Sequence, residues 1–258
     1  MSSASGGGGG GSLNAASPDA VAAYAARLSE VTTRVRAAEA ASGRAGAGAR
    51  VLVATKTQGA DAVRALCAAG ARLVGENRVQ ELVAKAPITR AAGARVHLIG
   101  PLQRNKAREA VAWADCVETV DSLALAERLS ALASDAGRAL GVMIQVNVSG
   151  EESKSGIAPS EALALATAVA ALPGLEVQGF MTVGLNSRDE GAVRAGYARL
   201  RDIRDSALVR AESGANPGLA NAWELSMGMS SDLEWAIAEG ATIVRIGTAV
   251  MGRRTPSE

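Results

Sequence analysis

The chain has 258 residues, 48% of them hydrophobic, and its 27 Lys plus Arg nearly balance 26 Asp plus Glu. There is apolar material for one full core, whereas a net charge of +1 offers no field for gripping a phosphate backbone and an aromatic content of 2% leaves few rings on which bases could stack. A single histidine, His97, excludes a metal site built on paired imidazoles, and Cys67 and Cys116 lack the close spacing of a zinc site or disulfide framework, as suits small core residues in a reducing cytoplasm.

Residues 1–16 are rich in Gly, Ser and Ala, too poor in large apolar side chains to offset ordering entropy, and are expected to form a disordered tail. This start lacks the basic and apolar regions of a signal peptide, and no apolar run reaches the roughly 18 residues that cross a bilayer. Ser17-Pro18-Asp19 reads as an N-cap, a proline at the first helical position and an acid in the first turn, opening a helix to about Ala41 whose apolar face carries Val21, Tyr24, Leu28 and Val31. Glycines between Gly43 and Gly48 end it.

Arg50-Val-Leu-Val-Ala-Thr-Lys56 follows, a short run rich in β-branched residues that reads as a strand buried on both faces, as in a parallel sheet. Helical and strand-like stretches then alternate: a helix near 59–69, a strand at Arg72–Gly75, a helix near 77–85, a strand at Arg95–Gly100, a helix near 104–113, a strand at Cys116–Val120 and a helix near 122–136. The alternation continues with a strand at Gly141–Asn147, a helix from Pro159 to Pro173-Gly174, a strand at Leu175–Met181, a long helix near 189–212, a strand at Glu224–Met227, a short helix near 231–239 and a last strand at Thr242–Gly247. Eight strands with seven connecting helices, the eighth supplied by the N-terminal helix or the tail, predict a single (β/α)8 barrel over residues 17–254.

In such barrels the chemistry gathers where strands end. Lys56 ends the first strand; in an enclosed pocket its amine could attack a carbonyl and form a Schiff base, and in the plainer reading it is a solvated lysine. After the last two strands come Ser226-Met-Gly-Met-Ser230 and Gly247-Thr248-Ala249, either ordinary turns or, at the two loops barrels use for this purpose, a phosphate cradle. An amine for an aldehyde and a cradle for a phosphate at one mouth suit pyridoxal 5′-phosphate. Arg245 could face its pyridine nitrogen and keep it unprotonated, or form an ion pair inside the barrel with Glu224 or Glu76. Glu118 and Asp121 are site residues or helix caps, Asp121-Ser122 looking like a cap.

Several stretches carry a family likeness: Val51 to Thr57, Gly75-Glu-Asn-Arg-Val-Gln-Glu81, His97-Leu-Ile-Gly-Pro-Leu-Gln-Arg-Asn-Lys106, Gln145-Val-Asn-Val-Ser149 with Glu152-Ser-Lys-Ser-Gly-Ile157, Gly179-Phe-Met-Thr182, Leu225-Ser-Met-Gly-Met-Ser-Ser-Asp-Leu-Glu234 and Val244-Arg-Ile-Gly-Thr-Ala-Val-Met-Gly252. From about residue 20 to 254 the chain resembles the YggS/PROSC family of pyridoxal phosphate-binding proteins. The resemblance implies a barrel similar to the N-terminal domain of alanine racemase, with the cofactor on Lys56 as a Schiff base and Asn77 beside it. It further implies phosphate contacts from Ser226, the backbone from Met227, Gly247 and Thr248, with Arg245 at the ring nitrogen and His97 near the ring. Such proteins look like carriers or regulators of the cofactor supply, without established turnover, and their implied acceptors are pyridoxal phosphate-dependent apo-enzymes.

The competing function is an amino-acid racemase of the alanine racemase type. A two-base racemase needs an acid/base on each face of the cofactor, and alanine racemases supply one as a tyrosine from a C-terminal domain for which this chain, ending about twelve residues past the last strand, leaves no room. Its tyrosines, Tyr24 and Tyr197, both fall in predicted helices. An interaction scaffold would present the polar loop Glu151–Ser155, which otherwise reads as a solvated turn. Lys85, Lys106 and Lys154 could take the cofactor non-specifically, Lys106 and Lys154 lying in the family motifs. The expectation is a cytoplasmic monomer that binds neither nucleic acid nor membrane.

Overall fold

The computed structural model describes residues 16–151 and 155–252, so the expected tail up to Ala15 and the loop residue Lys154 lie outside the described residues. Eight parallel strands close into a barrel in chain order: β1 (Arg50–Ala54), β2 (Leu73–Glu76), β3 (Arg95–Leu98), β4 (Cys116–Val120), β5 (Leu140–Gln145), β6 (Leu175–Met181), β7 (Glu224–Ser226) and β8 (Ile243–Ile246), with β8 pairing back onto β1. Around them lie α1 (Pro18–Ala41), α2 (Ala60–Ala68), α3 (Val79–Ala91), α4 (Ala107–Trp113), α5 (Leu123–Asp135), α6 (Pro159–Ala170), α7 (Glu190–Glu212), α8 (Leu233–Ala238) and α9 (Thr248–Met251). Among the described residues a single turn of helix follows β8. The N-terminal α1, packed against α2, α8 and α9, covers the side of the barrel that α9 is too short to cover. No helix among the described residues is long and apolar enough to cross a membrane.

Two departures from the sequence expectations have local causes. The third helix runs six residues past Lys85, through Pro87, to Ala91. An internal proline costs about 3 kcal/mol, but the turns around it bury Ala86 and Thr89 completely, and the Thr89 hydroxyl donates to the Lys85 carbonyl at 3.1 Å. Ser17 and Ser122 do stand at the N-caps of α1 and α5, yet neither side chain caps a backbone N–H.

Alternation along each strand sorts residues to two cores. One set packs between strands and helices and includes Val53, Val74, Val96, Val117, Val142 and Val244. The other, Leu52, Leu73, Cys116, Met143, Met181 and Ile243 with Ile99, fills the barrel interior. A side chain at Gly75 would overlap Leu52 and Ile99, so the interior has no spare room there. Each fully buried Leu or Met of this floor stabilises the fold by about 1.5–3 kcal/mol. Counting two residues on from it towards the C-terminal ends gives Glu118 from Cys116 and Arg245 from Ile243, while His97 lies on the same face of β3, in register with Cys116 and two residues before Ile99. Two residues further lie the mouth positions Lys56, Asn77 and Gly247. At the opposite end, Arg50 pairs with the buried carboxylate of Glu224, which also accepts from the Thr242 hydroxyl at 2.5 Å, and the Arg50 guanidinium lies 6.0 Å from the Trp223 ring.

Candidate functional site

A cavity of about 380 Å³ opens at the C-terminal mouth, and Lys56, Asn77, Ser230, Ser231, Arg245, Gly247 and Thr248 line it together with Ala54, Ile99, Val183 and Met229. A neighbouring cavity of about 280 Å³ shares Lys56, Gly247 and Thr248 and extends to Met251 and Gly252. Five of the residues singled out in the sequence, Lys56, Asn77, Arg245, Gly247 and Thr248, therefore meet at one place. Of the two readings of Lys56 the solvated one describes its side chain, which is exposed at the cavity edge because β1 stops at Ala54 and the chain turns, Gln58 N–H donating to the Thr55 carbonyl at 3.0 Å.

That turn is held from below. Thr57 has φ 40°, the only positive φ on a non-glycine residue among the described residues, and its N–H donates to the Glu81 carboxylate at 3.1 Å. Glu81 and the buried Glu76 share the Lys85 ammonium, at 3.4 and 3.0 Å, and Glu76 also accepts from the Thr55 hydroxyl. Burial pushes the Glu76 carboxyl up, against the pull of Thr55 and Lys85. For Glu81 burial works the same way, but the Lys85 charge and the Thr57 N–H outweigh it and hold the carboxyl below its usual range. Lys85 is thus committed to two carboxylates and is no free amine. Lys106 is half-exposed, 3.7 Å from Glu109, and lines a separate small cavity with Asn77 and Arg78.

Ser226, Met227 and His97 lie elsewhere than expected. Ser226 is fully buried, its hydroxyl donating to Glu118 at 2.6 Å and accepting from Arg245 at 2.9 Å, and the Met227 N–H donates to the Ile243 carbonyl in the sheet. Neither lines the cavity; the same loop reaches it three to five residues further on, through Met229, Ser230 and Ser231. His97 is 1% exposed, with Nδ1 2.7 Å from Glu118, and its Nε2 has no partner. Arg245 is bonded neither to Glu224 nor to Glu76: one guanidinium nitrogen donates to Ser226 and the other to the Thr182 carbonyl at 2.6 Å. Burial pulls its pKa down, against the opposing charge of Glu118. Glu118 is pushed up by burial but more strongly down by His97, Arg245 and Ser226, so it is held below the usual carboxylate range.

Val183, two residues past the end of β6, and Ser231 are wall residues that the sequence did not single out. Val183 carries no polar signal, and the side of a turn that Ser231 faces has no period in the sequence. Tyr197 is fully buried in α7 and donates to the Asp232 carboxylate at 2.8 Å; burial pushes its pKa up. Cys67 and Cys116 are free and buried, both thiols pushed up by desolvation. The mouth as a whole offers one primary amine, one guanidinium and a group of hydroxyls beside glycines, a set able to capture a carbonyl and hold an anion.

The chain matches the family of the alanine racemase N-terminal domain over residues 26–255. It is 42% identical over 230 residues to a pyridoxal phosphate homeostasis protein of Pseudomonas aeruginosa, covering 89% of this chain and 95% of that one. PipY of Synechococcus elongatus, in a structure with pyridoxal phosphate bound, superposes with a TM-score of 0.74 at 33% identity, covering 89% of this chain and all of that one. Alanine racemase of Clostridium difficile shares the fold, with a TM-score of 0.67 at 14% identity, covering 93% of this chain and 58% of that one.

Proposed function

The chain belongs to the family of pyridoxal phosphate homeostasis proteins, built on the alanine racemase N-terminal domain, and from that premise we propose that it holds pyridoxal 5′-phosphate at the barrel mouth, on Lys56, as part of intracellular homeostasis of that cofactor. The observation that carries this reading is the convergence of Lys56, Arg245 and the β7 and β8 loops on one cavity of about 380 Å³, a size within the range of about 300–1,000 Å³ usual for small ligands. The residues fit the group in a further respect. Asn77 Oδ1 on that wall is buried without a partner, which costs about 1–3 kcal/mol unless a ligand donor meets it.

When bound, pyridoxal phosphate supplies an aldehyde that condenses reversibly with a primary amine. Lys56 is the amine, and its exposure leaves room for a competing amine to displace it, as a protein that both holds and releases its cargo requires. The hydroxyls of Ser230, Ser231 and Thr248 hold the phosphate, in place of Ser226 and Met227, with Gly247 letting the backbone approach. Arg245 would face the ring nitrogen and, being a cation, would keep a proton off it, which would weaken the ring as an electron sink. His97, beneath the wall, supports the site through Glu118.

The same reading makes the protein a carrier without turnover, because no tyrosine able to serve as the second acid/base of a racemase lines the cavity among the described residues. Tyr197 is buried with its proton committed to Asp232, and Tyr24 lies on α1. Of the large apolar side chains exposed among the described residues, Val83, Leu123 and Val209 lie on separate helices, Trp223 lies at the N-terminal end of the barrel, and Val183 and Met229 line the cavity itself. The scatter outside the cavity supports a monomer, and the reading is completed by a cytoplasmic setting with pyridoxal phosphate-dependent apo-enzymes as acceptors. The test is titration with pyridoxal phosphate followed by borohydride reduction and peptide mapping, with amino-acid racemisation assayed in parallel. We expect a visible absorbance band, the label on Lys56, its loss in Lys56→Ala and no racemisation. Racemisation that disappears in Lys56→Ala would establish the racemase instead, and absence of uptake would end both readings.

A further inference from the structure

Beneath the cavity wall, four buried side chains from four strands form a chain of hydrogen bonds whose direction can be worked out by counting protons. Arg245 has donors only, so its 2.9 Å contact with the Ser226 hydroxyl uses a Ser226 lone pair. The one proton of Ser226 is then free to go to Glu118 Oε2, 2.6 Å away, which must accept it. The other carboxylate oxygen, Oε1, accepts from His97 Nδ1 at 2.7 Å. The order is Arg245 to Ser226 to Glu118, with His97 donating from the far side. Ser226, Glu118 and His97, at 0%, 0% and 1% exposure, are shut off from solvent. Of the four residues only Arg245 lines the cavity.

We propose that Glu118 is a positioning residue for the cofactor: its carboxylate, acting through the Ser226 hydroxyl, aims the Arg245 guanidinium at the ring nitrogen and supplies its counter-charge. This rests on the pyridoxal phosphate reading above. The Thr182 carbonyl, just past β6, holds the other arm of the guanidinium, so two acceptors from separate parts of the chain fix its plane, and only one of them depends on a charge. Glu118 is the carboxylate bonded into this chain; Asp232 and Tyr197 also act on Arg245 electrostatically, but they are bonded to each other. An amide at position 118 has one oxygen rather than two acceptors. It can serve Ser226 or His97 as before, but not both, and it carries no charge.

The test compares wild type, Glu118→Gln, Ser226→Ala and the double variant, each titrated with pyridoxal phosphate, mapped after borohydride and scanned across pH for its visible band. Expected are a Kd about tenfold weaker in each single variant, the worth of one charge-assisted hydrogen bond, and a displaced band whose pH midpoint moves. The label should stay on Lys56. Because both residues act on Arg245 through one path, the double variant should be no worse than the weaker single one, whereas independent contributions would add. Additivity, or a wild-type Kd and band in Ser226→Ala, would overturn the proposal while leaving the cofactor reading intact. Failure of the wild type to take up pyridoxal phosphate would instead overturn the reading itself. Should Glu118→Gln fail to fold, the band and Kd of Ser226→Ala decide alone, since that change removes the bridge without leaving a buried charge newly created.

Discussion

Thr57 sits one residue after Lys56, the primary amine of the cavity wall, with a φ of 40° that a β-branched side chain tolerates poorly. Strain of this kind is worth about 1–3 kcal/mol, and here the Glu81 carboxylate on the Thr57 N–H holds it in place. Lys56, beside this turn, lines the mouth cavity. Replacing Thr57 by glycine removes the strain but adds about 0.5–1 kcal/mol of backbone entropy. The expected outcome is a denaturation midpoint equal to or above wild type together with a weaker pyridoxal phosphate Kd, because Lys56 loses its fixed direction. A clear loss of stability would mean that the backbone at Thr57 carries no strain.

The element that brings hydroxyls to the cavity is the segment between β7 and α8, and one side chain from α7 holds it. Asp232 accepts the Tyr197 hydroxyl on one oxygen and the Met229 N–H on the other, at 2.8 and 2.6 Å, so α7 is tied to the turn carrying Ser230 and Ser231. Gly228 makes the turn possible, with φ 88° and no space for a side chain against Ala236. In Tyr197→Phe the nearly buried Asp232 loses a donor, at a cost of about 1–3 kcal/mol. Denaturant titration should register that loss, and pyridoxal phosphate affinity should fall with it because the turn is freed. An affinity equal to wild type would show that the turn stands without Asp232.

For the molecule as a whole, the barrel separates stability from chemistry by its two ends. Arg50, Glu224, Thr242 and Trp223 tie β1, β7 and β8 together at the N-terminal end, far from the cavity. Arg50→Ala leaves Glu224, with a side chain 8% exposed, short of its cation. We expect a loss of about 1–3 kcal/mol, which for a chain of this size lowers Tm by about 2–4 °C per kcal/mol. The pyridoxal phosphate Kd should be unchanged. A parallel fall in affinity would show that the two ends are coupled.

The sequence by itself determined the barrel and the level of the amine within it. Strand and helix periods are local, and a chain that alternates them eight times has one closed parallel solution, so the strands are found within a residue or two of where their β-branched runs lie. The same period of two places Arg245 and Gly247 on one face of the last strand, and Lys56 just past the end of the first. Only the tertiary structure decided which polar groups each of these meets. Ser226 turns down to Glu118 while Ser230 and Ser231 turn up to the cavity, Glu118 rather than Glu224 or Glu76 answers Arg245, and Lys85 is spent on two carboxylates. Those pairings depend on the stagger between strands that closure imposes and on depth along the barrel axis, quantities summed over all eight strands and written in none of them.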